Sequence, residues 1–145
     1  KEQDMILDSI PSWVFYKDNK NRFIRVNKAF ADVMKMSKEQ MEGKSLFDLF
    51  PKEQAEAYWK DDKDVINSGK PKRNIIESMP SQNGGVTWLR TDKIPLIDEK
   101  GKINGIIGFS MDITEIKLAE DEVKKHNQEL ENMNKLLVGR ELNMI

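Results

Sequence analysis

The sequence predicts an α+β domain: an antiparallel sheet with its helices gathered on one face, then a long helix running to the end of the chain. Three observations carry that prediction. The stretch Gly85 to Glu115, GVTWLRTDKIPLIDEKGKINGIIGFSMDITE, reads as two long strands, Trp88 to Ile97 and Ile103 to Ile113, joined by a short polar loop containing Gly101. Ahead of it the order is two strands, several short helices and one more strand. In the tail, Ile116, Val123, Leu130, Leu137 and Met144 recur every seven residues.

In chain order, Met5 to Ile10 is apolar at helical spacing and is stopped by Pro11. Trp13 to Tyr16 and Arg22 to Val26 form a hairpin around the turn Asp18 to Asn21. Asn27 caps a helix carrying Phe30, Val33 and Met34, and Ser37 to Gln40 is a capping box that opens a short helix ending at Gly43. Ser45 starts another short helix, closed by Pro51, and Lys52 to Asn67 is a longer one with Gly69 past its end. Ile75 to Met79 is a strand, followed by a hairpin turn at Gln82 to Gly85. At the far end, Asp112 and Glu115 have the spacing of an N-cap and its capping-box partner, so the last strand feeds directly into the long helix. Three residues after each heptad position stand Ala119, His126, Met133 and Arg140, so one series of the seam is apolar and the other half polar. That is a coiled-coil pattern, on a helix too long for a domain of this size to cover.

The 145 residues suffice for one domain with its own core. With 24 basic and 25 acidic residues the net charge is −1, from which we expect neither nucleic acid nor direct membrane contact among the partners. Cysteine is absent, which excludes disulfides, cysteine-ligated zinc and thiol catalysis; the single histidine excludes a His-rich metal site. No nucleophile–base pair, phosphate loop or metal set is visible, so the expectation is a regulatory piece and not an enzyme. No apolar run approaches the roughly 20 residues of a membrane span. The chain starts at Lys1 and stops inside a helical repeat, which we read as a soluble, cytoplasmic piece of a longer protein.

Asp18-xxx-Arg22-Phe-xx-Val26-Asn27-xx-Phe30, the Ser37-xx-Gln40-xx-Gly43-Lys-Ser45 region, Trp88-Leu-Arg-Thr-xx-Ile94-Pro95 and Gly105 to Thr114 together resemble a PAS domain. More narrowly, they resemble the PAS modules of microbial sensor histidine kinases, over roughly Leu7 to Lys117. The resemblance implies a five-stranded antiparallel sheet of order 2-1-5-4-3, with a small pocket between sheet and helices. It also implies a signalling helix that begins at Asp112-Ile-Thr114 and pairs with its twin in a homodimer. The implied organisation is an N-terminal helical cap over residues 1–10, a PAS domain over 11–114 and a signalling coiled coil over 115–145. The implied function is sensory input: a small molecule in the pocket, relayed through the last helix to a downstream output domain, a histidine kinase. The alternatives are a ligand-free dimerisation and relay module, and a redox sensor with non-covalent flavin. Haem and covalent flavin are not expected, because the helix from Lys52 to Asn67 lacks an axial histidine and the chain lacks cysteine.

Aligned on that family, alternation divides the strand side chains between two faces. Phe15, Lys17, Glu77, Leu89, Thr91, Lys93 and Ser110 point to the helix side. With Phe30, Val33 and Trp59 from the helices they are the candidate ligand-binding set. A buried charge needs a partner. Either Lys17 or Lys93 pairs with Glu77 near the pocket rim, or the two lysines and the hydroxyls hold an anion such as a small carboxylate. Asp62, between Trp59 and Ile66, reads as a solvated residue. Asp112 and Thr114 are the candidate relay. The opposite sheet face, with Trp88 and Phe109, is too apolar to meet water. The segment around Met5, Ile6 and Ile10, or a second subunit, is expected to cover it. Trp88, Phe109, Ile116, Val123, Leu130 and Leu137 are the candidate dimer contacts.

Overall fold

The computed structural model describes residues 2–81 and 84–143. In order, the elements are α1 (Glu2–Ser9), β1 (Trp13–Asp18), β2 (Phe23–Val26), α2 (Lys28–Met34), α3 (Lys38–Met41), α4 (Leu46–Leu49), α5 (Lys52–Ser68), β3 (Lys72–Pro80), β4 (Val86–Ile97), β5 (Ile103–Asp112) and α6 (Thr114–Asn143). The strands form one antiparallel sheet of order β2-β1-β5-β4-β3, with β5 central between β1 and β4.

Local chemistry explains the element ends. Asn27, Ser37 and Ser45 each accept the backbone N–H three residues on, and the last two complete capping boxes with Gln40 and Asp48. Helix α5 ends where Gly69 enters the left-handed region at φ 68°, its N–H returning to the Val65 carbonyl. Strand β3 begins before the expected Ile75. The polar run Lys72–Asn74 disguises its start: Lys72 pairs with Lys93, and the irregularity that follows is held by the Asn74 N–H on Asp92, 2.9 Å. Part of the expected hairpin turn, at 82 and 83, lies outside the described residues, as does Met144 of the heptad series.

The core lies between the sheet and helices α2 to α5. Trp13, Phe15 and Phe23 gather around Phe30, with ring centroids 6.0, 5.6 and 5.8 Å from it. The N-terminal helix meets one expectation in part. Gln3 and Leu7 line a groove with Val14, Tyr16 and Ile107 of the outer face, whereas Met5 and Ile6 are 73% and 63% exposed. Polar contacts dock it. The buried Asn27 amide donates to the carbonyls of Leu7, Ile10 and Ser12, while Asp8 accepts the Lys28 N–H and the Lys38 ammonium. The outer face therefore stays partly open, with Met111 and Ile76 exposed and Trp88 and Phe109 half-buried.

Candidate functional site

An interior cavity of about 40 Å³ lies between the sheet and the helices. Phe15 and Lys17 of β1, Glu77 and Met79 of β3, Leu89 and Lys93 of β4 and Ser110 of β5 enter it from the sheet, as strand alternation requires. Phe30, Leu46, Phe50 and Tyr58 close it from the helix side, with Trp13 and Phe23 completing the wall. Phe50 and Met79 also line a groove of about 480 Å³ on the outside, so these two side chains are the partition between cavity and surface. Phe50 rests edge-on against Tyr58 at 5.4 Å, and the Gln54 amide donates to the Tyr58 hydroxyl.

Sheet register builds the charged end. Phe15 and Lys93 both pair with Gly108, from either side of β5, and Lys17 pairs with the neighbouring Ile106. Gly108 has no side chain, and the Phe15 ring occupies the space where one would stand. Lys17 and Lys93 reach from opposite sides of β5 to Asp62 on α5. Lys17 hydrogen-bonds Asp62 Oδ2, and Lys93 Nζ lies 2.8 Å from Oδ1 in an ion pair outside hydrogen-bond alignment. Lys93 also donates to the Tyr58 carbonyl at 3.3 Å. The three charged side chains are 2%, 2% and 1% exposed. Burial pulls the Lys17 ammonium down to about 8 against the attraction of Asp62, with Lys93 pushing the same way as burial. Burial likewise raises the Glu77 carboxyl above its usual range, against Lys93 and a hydrogen bond from Thr91. Thr91 and Ser110, paired across β4 and β5, share a hydrogen bond of 2.9 Å.

The sequence expectations fall out unevenly. Phe15, Lys17, Phe30, Glu77, Leu89, Lys93 and Ser110 line the cavity. Val33 instead faces the outer groove, Trp59 packs on the core with Lys63 over its ring, and Thr91 stands behind Glu77 and Ser110. The lysines pair with Asp62 and not with Glu77, which corrects both the expected rim pair and the reading of Asp62 as solvated. A signal for Asp62 existed: it stands seven residues after Ala55 and three before Val65, both buried on α5. Phe23, Leu46 and Phe50 line the cavity as well, outside the expected set.

One step from the cavity, β5 meets α6. The Asp112 carboxylate accepts the Thr114 N–H at 2.9 Å and its hydroxyl at 2.6 Å, and Thr114 Oγ1 accepts the Trp88 N–H of β4 at 2.9 Å. The first helical bond runs from the Lys117 N–H to the Ile113 carbonyl. The cap position is thus Ile113, one residue later than expected, and Asp112 makes an Asx-type turn just ahead of it. On α6, Ile116, Val123, Leu130 and Leu137 are all exposed. Among the described residues no helix is long and apolar enough to cross a membrane.

Comparison with known proteins matches residues 7–118 to the family described as PAS fold. The chain is 30% identical over 123 residues to the methanogenesis regulatory histidine kinase FilI of Methanothrix harundinacea (strain 6Ac), and 25% identical over 123 residues to the aerobic respiration control sensor protein ArcB of Escherichia coli (strain K12). These matches cover 85% of this chain but only 14% and 16% of those proteins. Among solved structures, a Vibrio cholerae VqmA–ligand–DNA complex aligns with a TM-score of 0.69 and 26% identity, covering 78% of this chain and 51% of that one. This corrects the expected exclusion of nucleic acid from the partners, while the kinase relatives remain beside it. A similar domain occurs in a protein solved with DNA; the net charge of one domain reports only on that domain's own surface.

Proposed function

The chain belongs to the PAS fold family, and from that premise we propose that it is a sensory input domain with a regulatory and not a catalytic role. A small molecule occupies the interior cavity, and its presence is passed along β5 to α6 and so to whatever output segment is attached. FilI, named a histidine kinase, and VqmA, solved with DNA, represent two kinds of output for such a domain. On this reading residues 11–114 sense and residues 115–145 relay, with 1–10 as a cap. The observation that carries the proposal is the placing of buried polar groups at a cavity wall on the strand that leads into the long helix. Ser110 lines the cavity, and Asp112 lies two residues further along β5. The exposed heptad stripe on α6 supports pairing with a second copy as a coiled coil.

The test is direct. Ligand released from the denatured, natively purified protein is identified by mass spectrometry, and a metabolite panel is screened for upward shifts in Tm. We expect at least one compound to raise Tm in the wild type and to lose that effect when Ser110→Leu fills the cavity. A panel without effect, and no retained molecule, would leave only the relay role.

A further inference from the structure

The charged end of the cavity is asymmetric. Lys17 and Lys93 both form part of its wall, whereas Asp62, their shared counter-charge, stands behind them on α5 and does not line it. Each ammonium has three N–H donors. Asp62 and the Tyr58 carbonyl engage some of these; beyond them Lys17 faces the rings of Phe15 and Phe23 at 5.1 and 5.3 Å. Aromatic faces are weak partners beside a carboxylate oxygen. Glu77, also in the wall, accepts from Thr91 and, among the described residues, forms no ion pair with either lysine. The result is a wall on which two ammonium groups share one carboxylate that stands behind them. Their remaining donors are open to an anion on the cavity side.

We propose that this pocket takes a short-chain carboxylate of about two to four carbons, its carboxyl group on the Lys17 and Lys93 ammonium groups and its alkyl end against Phe30 and Leu46. The inference rests on reading the cavity as the sensory site. Size sets the chain length: about 40 Å³ holds a few water-sized groups and no more, unless Phe50 and Met79 swing aside to join the outer groove. Charge selects a monoanion, since a second negative charge, away from the lysines, would meet the Glu77 carboxyl or aromatic and aliphatic wall.

Isothermal titration of the whole chain with acetate, propionate and butyrate, against acetamide, propionamide and butyramide at matched ionic strength and pH 6.5, tests this. At least one acid should bind saturably, on the order of tenfold tighter than its amide. Lys93→Met should weaken that acid by on the order of tenfold. Asp62→Asn, which removes the competing carboxylate, should tighten it; a merely structural role for Asp62 would weaken it instead. The acid-against-amide comparison is made on the wild type and needs no variant to fold. Amides binding as well as acids would overturn the ligand class and leave the sensory reading standing, as would a neutral molecule recovered from the purified protein. If no acid binds, the carboxylate proposal fails; if no compound of any charge binds in the wider metabolite screen, the sensory reading fails with it.

Discussion

At Asp62 the chain folds one carboxylate between two ammonium groups with scarcely any water in reach. Taking one partner from such a group leaves a buried charge uncompensated, whereas replacing all of them leaves none. Asp62→Leu should therefore cost about 3–5 kcal/mol in urea denaturation, and the combined change Lys17→Met, Asp62→Leu, Lys93→Met should recover most of that loss. A triple variant as unstable as the single one would show that the charges hold the fold together. Lys17 adds a pH signature. Its folded value of about 8 lies below that of a free lysine, 10.5, so between the two the unfolded chain holds more protons than the native one and stability rises with pH. Below about 8 both states are protonated and the penalty is present in full. Stability of the wild type relative to Lys17→Met should thus grow from pH 7.5 to pH 10, by at most about 3 kcal/mol. Parallel urea titrations across that range check it, and a flat difference would mean that Asp62 and Glu77 hold the lysine at its ordinary value against burial and Lys93. Strand parity, taken with the family resemblance, put both lysines on the helix side. It could not supply their partner, because Asp62 sits in the charged run Asp61-Asp62-Lys63-Asp64, where local composition argues for solvent and only the helical spacing from Ala55 and Val65 argues for burial.

The β5–α6 junction shows what an element boundary does with few atoms. Thr114 is held at once by Asp112 at the end of β5 and by the Trp88 N–H of β4, so the first turn of α6 is bonded to two adjacent strands. Thr114→Val keeps the shape, removes the acceptor for Trp88, and should cost about 1–3 kcal/mol. Asp112→Ala should cost about 0.5–2 kcal/mol. Hydrogen exchange at the Trp88 and Lys117 amides locates the effect: both should lose protection before the core strands do, and uniform loss would place the junction inside the global unfolding unit. Further along, Leu130 belongs to a stripe left exposed among the described residues. If the stripe pairs with a second copy, Leu130→Glu should lower the sedimentation coefficient at micromolar concentration from dimer to monomer; no change would remove α6 from the interface. The seven-residue period was legible because one helix face repeats it without interruption. The cap was misjudged by one residue because Asp112-x-x-Glu115 satisfies the pattern of a capping box, while an Asx turn on Thr114 uses the same aspartate.

Across the whole molecule, the strand order was available from the resemblance and the element order from caps, prolines and alternation. The covering of the outer face was not. Met5 and Ile6 are apolar at helical spacing, yet the position of α1 is decided by the buried Asn27 amide and by Asp8, polar partners that periodicity does not register. Size could not be read either, for a cavity is a small difference between large packed volumes. What joins that cavity to the rest of the protein is a missing side chain. At Gly108 the Phe15 ring lies on the bare backbone of the central strand, filling the place a methyl group would need. Gly108→Ala must drive the ring outward into the cavity, so ligand-induced shifts in Tm should vanish even where the sheet still forms. Normal ligand response in that variant would mean the ring has room to spare. The wider consequence is mechanical. With no soft side chain to absorb displacement between ring and strand, whatever pushes on one face of Phe15 pushes on the strand that four residues later reaches Asp112; if a ligand fills the cavity, its occupancy would arrive as pressure on the domain's own spine.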